Sequence, residues 1–394
     1  FFSDDPKVAS KNLPAKMIDK LQVLDKKSDM AQMTGFDDGE EETVINLTVK
    51  PGMKQGWFGN AYGGYGSKDR YEGNAMVNRF VNNDQITFMG GANNTNNMGF
   101  SDLASTMFSG MGGGGGRRGG FGAGSGITSS GNAGLNFSKE FKPDKLTLGG
   151  NTRYSHSDND ARSKSDRQNI LPGDSSSYDN SEAMSRTKSD NFGVDFRLEW
   201  KPDTMTQLIF RPSFSFSHSM NDNFSDATTL DNERDTVNTN KSSNYSESNG
   251  YNLNASIDFS RKLNNKGRVF SATLSGGNSD SYSDGMNRSD IVYFNQTDAL
   301  KNSIIDQRSR YDNKGFNYRA YVSWVEPIGH NNFIQATYSI SQRKQEALKN
   351  VYNQDADGIY NVLDSAYSQS YRNNFISQRA SLSFKSQRAK FNYT

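Results

Sequence analysis

The chain is 394 residues long, 33% of its residues are hydrophobic, and its mean hydropathy is −0.84. No stretch approaches the roughly 18 consecutive apolar residues that a membrane-spanning helix requires, which excludes a helical membrane protein. The 45 lysines and arginines nearly balance the 44 aspartates and glutamates, so no global basic field points to nucleic acid as a partner. The absence of cysteine excludes a disulfide framework and a thiol nucleophile.

Residues 1 to about 50 differ in pattern from the rest of the chain. A short helical turn is predicted at residues 14–18, where proline suits a first helical turn, and alternation follows from Ile18 to Val23. The loop TGFDDGEEE then leads to a second predicted strand, TVINLTVK. We expect these residues to form the end of a small α/β domain. The start FFSDDPKVASKN lacks a charged region followed by an apolar one, so it is not a signal peptide.

From residue 51 the chain alternates apolar and polar residues in long segments. The segment LIFRPSFSFSH, from Leu208, has Leu208, Phe210 and Phe214 on one side and arginine and serines on the other. A barrel strand crosses a membrane in about 9 to 11 residues, half of them facing a polar lumen, so low hydropathy is compatible with spanning. The predicted strands are 56–66, 70–81, 85–94, 126–141, 145–157, 188–201, 205–219, 245–262, 267–280, 308–326, 332–345 and 370–385, with a thirteenth from Phe391.

The connections between these strands alternate between short and long. The short turns are NND at Asn82, KPD at Lys142, KPDT at Lys201, LNNKG at Leu263, GHNN at Gly329 and SQRAK at Ser386. The predicted long loops are 95–125, 158–187, 220–244, 281–307 and 346–369. This asymmetry is typical of outer-membrane barrels, whose short turns face the periplasm. Residues 51–394 are therefore predicted to form an all-β, antiparallel transmembrane β-barrel.

Aromatic residues near the short-turn ends support this orientation. Tryptophan prefers the membrane interface, where its ring is partly buried and its N–H stays hydrated. The predicted aromatic girdle consists of Trp57, Phe80, Phe141, Trp200 and Trp324. The alternative is that these are ordinary strand-end core residues of a soluble β-sandwich.

Charged residues within the strands fall almost wholly on the polar side of the alternation. A charge at the lipid midplane is costly, so these residues are expected to face a hydrophilic lumen. The lumen-facing candidates are Arg153, Asp195, Arg197, Arg211, Asp258 and Arg379. The complementary lipid-facing sets include Phe192, Val194, Phe196, Leu198 and Trp200, then Tyr251, Leu253, Ala255, Ile257 and Phe259. Outer-membrane lipid is the expected partner of the second group.

The first hundred residues resemble a known family. The segments LPAKMIDKLQVLDKKSD, TGFDDGEEETVINLTVK, GWFGNAYGGYGSKDRYEGNAMVNRF and NNDQITFMGGANNTNNMGF resemble the end of the plug and the first barrel strands of TonB-dependent receptor-like outer-membrane proteins. The resemblance implies a plug inside a barrel of about 22 strands and energy supplied by a TonB complex that pulls on an N-terminal box. It also implies a location in the outer membrane of a Gram-negative-type envelope. Residues 1–50 would be the C-terminal part of the plug domain, and the barrel would continue beyond Thr394.

The glycine tract, the histidines and the acidic loops are the other segments that could bind a ligand or a metal ion. The tract GMGGGGGRRGGFGAGSG lacks the lysine and Ser or Thr of a phosphate-binding loop, which favours a flexible external loop. Its Arg117 and Arg118 are ligand candidates. None of His156, His218 and His330 has a partner at metal-ligand spacing, and the acidic loops lack EF-hand spacing. No cofactor, metal site or catalytic residue is predicted, and an enzymatic barrel is the weaker class.

The sequence is compatible with two functions. The first is a TonB-dependent outer-membrane receptor that binds an unknown nutrient at long extracellular loops and imports it through a plugged polar lumen. The second is a non-transporting barrel for surface binding or assembly of a partner protein. A TonB box upstream of Phe1 would favour the first, and the ligand cannot be read from the scaffold.

Overall fold

The computed structural model describes residues 18–27, 41–50, 55–96, 126–170, 176–294, 302–329, 332–388 and 391–393, and all their regular elements are strands. The strands are β1 (Ile18–Lys27), β2 (Glu41–Val49), β3 (Gln55–Tyr65), β4 (Tyr71–Val81), β5 (Asp84–Asn93), β6 (Ile127–Lys142), β7 (Leu146–Asn169), β8 (Ser177–Trp200), β9 (Thr206–Leu230), β10 (Thr236–Lys262), β11 (Val269–Tyr293), β12 (Asn302–Pro327), β13 (Asn332–Gln354), β14 (Tyr360–Leu363), β15 (Gln369–Arg388) and β16 (Phe391–Tyr393). In this part of the chain there is no helix with the length and apolarity needed to cross a membrane.

Strands β1 and β2 form a separate two-stranded antiparallel sheet. Their register places Lys27 opposite Glu41 and Asp25 opposite Thr43, whose hydroxyl donates a hydrogen bond of 2.8 Å to the carboxylate. Both predicted strands of residues 1–50 are therefore present. The helical turn expected at residues 14–18 lies outside the described residues except for Ile18, which begins β1. The plug interpretation of this region stays a prediction.

The remaining strands form one 14-stranded sheet in which neighbours in sequence are neighbours in space. From β3 to β13 each strand pairs antiparallel with the next; β13 pairs with both β14 and β15, and β15 pairs with β16. Short connections favour this arrangement, because antiparallel strands can be joined by a few residues whereas parallel strands need a crossover. The predicted all-β, antiparallel fold is confirmed.

The strands are longer than the apolar alternation indicates. Most of the predicted loops 158–187, 220–244, 281–307 and 346–369 is strand, so these predictions are wrong for most of their length. Strand β10 alone has 27 residues, whereas crossing the hydrocarbon core takes about 9 to 11. On β7 to β13 the apolar pattern stops part-way along the strand, but the backbone ladder continues with polar and charged cross-strand pairs, whereas β3 to β6 have nearly the predicted lengths.

Tight turns at one rim have the conformations that their residues favour. Asn82 and Asp144 have φ values of 56° in the turns after β4 and β6, and Gly267 has a φ of 102° in the turn before β11. Asparagine, aspartate and glycine tolerate this left-handed region better than other residues. At the same rim, buried Val269 and Val325 pack against Phe333. The short-turn rim is thus well defined by local sequence.

Candidate functional site

The pairing register assigns every strand residue of the large sheet to one of two faces, because directly paired residues share a face. The face that carries Asn151 and Asp195 is called the polar face. One row across it contains Asn78, Thr87, Asn136, Asn151, Asp195, Ser213 and Asn254. The face that carries Val194 and Leu253 is called the banded face. One row across it contains Phe88, Leu135, Thr152, Val194, Phe214, Leu253, Asn278 and Phe316.

Exposure on these faces is inverted relative to a water-soluble protein. Phe88 and Leu253 on the banded face are 53% and 51% exposed, and Leu274 on the same face is 55% exposed. On the polar face, Asn78 is 0% and Asn151 2% exposed. Water-soluble proteins bury apolar side chains and leave most asparagines exposed. A contiguous exposed apolar surface of this kind marks an interaction site, and its width is that of the apolar face of a membrane-spanning β-strand.

Along the long strands β7 to β13, the banded face changes from apolar to polar and charged side chains. On β10 the apolar band comprises Tyr251, Leu253, Ala255, Ile257 and Phe259, which together span the length expected for a transmembrane strand. Beyond Tyr251, towards the opposite end of the strand from the short turns, the same face becomes polar and charged. We call the part of the strands beside the apolar band the lower segment and the remainder the upper segment.

The six predicted lumen residues all lie on the polar face in the lower segment, where the register brings most of them together. Arg153 Nη1 lies 2.7 Å from a carboxylate oxygen of Asp195, and Arg197 Nη2 lies 3.3 Å from Glu199. Arg379 lies on the same face, opposite Ser339, and is exposed. That this face lines a lumen stays a prediction.

The Arg153–Asp195 pair depends on a glycine. Arg153 is paired with Gly193, and a Cβ added at Gly193 would lie 2.9 Å from the Arg153 guanidinium. The guanidinium therefore lies over the glycine and reaches Asp195, whose side chain is only 8% exposed. Arg153 also donates to Asn151 Oδ1 at 3.3 Å. The pair is held by a packing feature that residue spacing alone does not reveal.

A second cluster joins β9, β10 and β11. Arg211 donates to Asp258, and the Thr273 hydroxyl donates to the other oxygen of the same carboxylate at 2.8 Å. A carboxylate that receives both bonds is held in one orientation on the polar face. Thr273 was not predicted from the sequence.

A third cluster centres on Glu199 at the short-turn rim. Its carboxylate accepts a hydrogen bond of 3.0 Å from Gln207 Nε2 and lies 2.7 Å from Lys201 Nζ, besides its contact with Arg197. Sequence reasoning missed Glu199 and Gln207. The signal for Glu199 was present, since it lies two positions after Arg197 and therefore on the same face.

The predicted aromatic girdle divides between the two faces. Trp57, Trp200 and Trp324 lie on the banded face and are exposed, and Trp324 Nε1 donates to Glu326 at 3.0 Å. Phe141 is exposed at a β-bulge, with the Lys139 ammonium 5.6 Å from its ring centroid. These positions fit an interface in which rings are partly immersed.

Phe80 does not belong with the other four aromatics. It is 6% exposed, pairs with Gln85 on the polar face, and stacks on Phe58 with ring centroids 5.2 Å apart. Its position is one residue out of step with Arg79, which lies opposite Trp57 on the banded face. Because strand residues alternate faces, nearness to a turn cannot decide which face an aromatic occupies.

In the upper segment the banded face carries cross-strand ion pairs. Arg186 binds Asp158 through two bonds, the shorter 2.7 Å, and Arg308 binds Asp284 through two, the shorter 2.5 Å. These guanidinium hydrogen bonds hold the pKa values of Asp158 and Asp284 below the usual range for aspartate. The pairs stabilise the strands where the apolar alternation has ended.

The two histidines that the structure describes, His156 and His218, each contact a side chain on a neighbouring strand. His156 Nδ1 is 2.8 Å from Asp190 Oδ1, and His218 Nδ1 is 2.8 Å from Asn249 Oδ1, both in the upper segment of the banded face. Among the described residues, no three His, Cys, Asp or Glu side chains are grouped to hold a metal ion. His330, Arg117 and Arg118 lie outside the described residues.

Comparison with known proteins gives weak structural similarity only. No protein-family profile matches the chain, and no curated protein matches it in sequence. The open form of the ferric-catecholate import receptor Fiu from E. coli K12 has a TM-score of 0.32 and 10% identity, covering 94% of this chain and 73% of its own. The alcaligin receptor FauA from Bordetella pertussis has a TM-score of 0.19 and 10% identity, covering 97% and 69%. Similarity at this level does not assign a family.

Proposed function

We propose that this chain forms the wall of an outer-membrane β-barrel receptor of the TonB-dependent type. The barrel would bind a nutrient at its extracellular side and import it along the polar face. The main support is the inverted exposure of the two faces, with an exposed apolar band of membrane-spanning width on one and buried polar side chains on the other. An all-antiparallel sheet of sequential strands is the arrangement from which such barrels are built.

The polar face supplies the chemistry for passage of a hydrophilic solute. Two of its arginines in the lower segment are paired with aspartates, Arg153 with Asp195 and Arg211 with Asp258. Each such pair adds polarity to the face without adding net charge, which suits a wall along which a ligand must move and from which it must leave.

Uptake measurements test the transport function. Cells that carry the full-length protein should take up a candidate nutrient faster than cells that lack it, and collapse of the proton-motive force should abolish the difference. Uptake that is insensitive to the proton-motive force would rule out energised transport.

Topology can be tested separately, because the 394 residues contain no cysteine. Single cysteines at Glu233, between β9 and β10, and at Asp203, between β8 and β9, lie at opposite rims of the sheet. In intact cells a membrane-impermeant maleimide should label Glu233→Cys and not Asp203→Cys. Labelling of Asp203→Cys alone would reverse the proposed orientation, and labelling of both would contradict a membrane-spanning wall.

The alternative function is a non-transporting barrel that binds a partner protein. The observation that favours it is the length of the upper segment, since strands such as β10 extend well beyond the apolar band and carry ion pairs on the banded face. Covalent cross-linking in intact cells from a photoreactive group at Ser243 would identify such a partner. The alternative gains support if the partner is recovered and no energised uptake is found.

A further inference from the structure

The polar face of the upper segment is built from small uncharged side chains on β9, β10 and β11. Four successive rows across these strands are Ser217, Gly250 and Ser281, then Ser219, Ser248 and Ser283, then Asn221, Ser246 and Gly285, then Asn223, Asn244 and Asn287. The next row contains Ser225, Ser242 and Ser289. In the upper segment of these three strands, which the structure describes completely, the polar face has no charged residue.

The banded face at the same level is charged, so the neutral surface is not a consequence of local composition. The same strands carry Asp222, Asp226, Lys241, Glu247, Asp284 and Arg288 on the banded face. Neighbouring positions along one strand therefore differ systematically in charge. The lower segment shows that the polar face accepts charges elsewhere, since Arg211 and Asp258 lie on it there.

Hydroxyl and amide groups of this neutral surface already form hydrogen bonds across the strands. The Ser185 hydroxyl donates to Asn223 at 2.5 Å, and the Thr187 hydroxyl donates to Asn221 at 3.1 Å. Ser248 donates to Ser283 at 2.8 Å. Each of these groups can both donate and accept, so the surface presents both functions at short intervals.

Buried polar atoms without a partner point to the same face. Among the described residues, four buried side-chain atoms lack a hydrogen-bond partner: Asn78 Nδ2, Asn132 Oδ1, Asn151 Nδ2 and Asn313 Oδ1. The register places all four asparagines on the polar face, and two of them, Asn132 and Asn313, lie in the same row as Ser217, Gly250 and Ser281 of the neutral surface. Asn78 and Asn151 lie in the lower segment. Leaving such atoms unpaired costs free energy, so a polar molecule is expected to satisfy them. The two atoms in the neutral row, Asn132 Oδ1 and Asn313 Oδ1, are acceptors that a ligand hydroxyl would satisfy.

An aromatic ring adjoins the neutral rows. Tyr311 on β12 lies on the polar face opposite Ser283, and its side chain is exposed. An exposed ring beside hydroxyl and amide groups combines an apolar surface with polar contacts. The next residue in this row is Lys349 on β13, where charge returns to the polar face.

We propose that the ligand held by this surface is a neutral, polyhydroxylated molecule, namely an uncharged oligosaccharide. Sugar hydroxyls donate and accept hydrogen bonds as serine and asparagine do, and the faces of sugar rings are apolar enough to contact a tyrosine. An anionic ligand would be expected to meet arginine or lysine, and a cation to meet carboxylates. The inference rests on the proposed function, since it names the class of nutrient received at the extracellular side.

Calorimetric titration of the purified full-length protein in detergent tests the assignment. The probes are neutral heptasaccharides of the malto, cello, xylo and manno series and an anionic oligogalacturonate of equal length. We expect at least one neutral probe to bind, with an affinity that changes less than about twofold between about 50 mM and about 500 mM NaCl, because no charge pairing is involved.

Two adjacent serines of β10 give matched variants. Ser242 lies on the neutral surface between Ser225 and Ser289, and Ser243 lies on the banded face between Phe224 and Arg288. Ser242→Asp should weaken binding of the neutral probe at least about tenfold, since it places an unpaired charge beside the ligand. Ser243→Asp should leave the affinity unchanged. Equal effects of the two substitutions would overturn the assignment.

The remaining outcomes also decide the matter. Binding of oligogalacturonate alone, or of no saccharide, overturns the inference. Energised uptake of a charged nutrient without saccharide binding would overturn it while leaving the proposed transport intact. Saccharide binding without energised uptake would instead retain the ligand class and overturn the transport function.

Discussion

The lower and upper segments of the same strands distribute charge in opposite ways. In the lower segment, the banded face is apolar and the polar face carries ion pairs such as Arg153–Asp195. In the upper segment, the banded face carries ion pairs such as Arg186–Asp158, and the polar face of β9–β11 is neutral. The exchange occurs on both faces at nearly the same level, near Tyr251 on β10.

Each face is therefore adapted to its own surroundings rather than to a common core. In the proposed outer-membrane setting, lipid would exclude charge from the lower banded face, whereas water would permit it on the upper one. On the polar face the lower pairs lie beside buried asparagines, and the upper rows present hydroxyls and amides to a ligand. Four predictions test the contrast, from the largest effect to the smallest.

Removing Arg153 should be the most damaging change to the lower polar face. Arg153→Met leaves the Asp195 carboxylate, whose side chain is 8% exposed, without its cation. Because the Arg153 side chain is itself 36% exposed, the loss of unfolding free energy should lie near the lower end of the roughly 3–5 kcal/mol expected for a fully buried pair. Urea unfolding in lipid vesicles measures it. The double variant Arg153→Met/Asp195→Leu should regain most of the loss, and an unaffected single variant would show that the pair does not contribute.

A charge placed on the lower banded face should destabilise the protein in lipid. Leu253→Arg puts a guanidinium inside the apolar band, one same-face position below its upper limit at Tyr251; such a charge costs roughly 2–4 kcal/mol at the midplane and less towards either edge. The matched control is Asn252→Arg, one position along β10 and on the polar face, which should cost much less. Unfolding in vesicles of defined thickness compares the two. Equal costs would contradict a lipid-facing band.

Acid should loosen the upper segment before the lower one. The pKa values of Asp158 and Asp284 are lowered by their arginine partners, so their contribution is full above the unfolded-state pKa of about 3.9 and is lost as the pH falls through the lowered folded values. Hydrogen-exchange protection factors of β7–β8 and β11–β12 should therefore fall in the upper segment below about pH 4. Asp284→Asn should remove the pH dependence from β11–β12.

The smallest effect on stability is expected for an exposed ion pair on the banded face of the upper segment. Lys164 and Glu182 pair at 3.0 Å but are 66% and 67% exposed. Water and salt screen such pairs, so Lys164→Gln should leave the midpoint of unfolding unchanged. A clear shift in the midpoint would mean that the upper ion pairs act as one network rather than as separate bridges.

Much of the fold could be predicted because its signals are local. Alternation located the lower parts of the strands and assigned Arg153, Asp195 and Arg211 to one side, since strand periodicity is fixed at two residues. Turn residues such as Asn82 and Asp144 marked the short connections. The upper strands were missed because their two faces are both polar, so alternation in hydropathy vanishes while backbone pairing continues.

For the candidate site, the sequence predicted which face each residue occupies but not which residue it contacts. Arg153 and Asp195 are 42 positions apart in the chain, and only the register of β7 with β8 brings them together over Gly193. Phe80 shows the converse, because its nearness to a turn suggested the girdle although its parity places it on the polar face. Contacts and face assignments of this kind depend on the pairing register of each strand with its neighbour, since a shift by one residue moves every side chain of a strand to the other face.

The amino-acid sequence is enough to predict an antiparallel array of strands with one apolar and one polar side, since a period of two residues follows from backbone geometry. The three-dimensional structure is needed to show how far the strands extend and which charged residues form pairs. It also shows at which level along the strands charge moves from the polar face to the banded face. Those properties arise from contacts between residues distant in the chain, and the free energy of such a contact depends on the surroundings that both residues share.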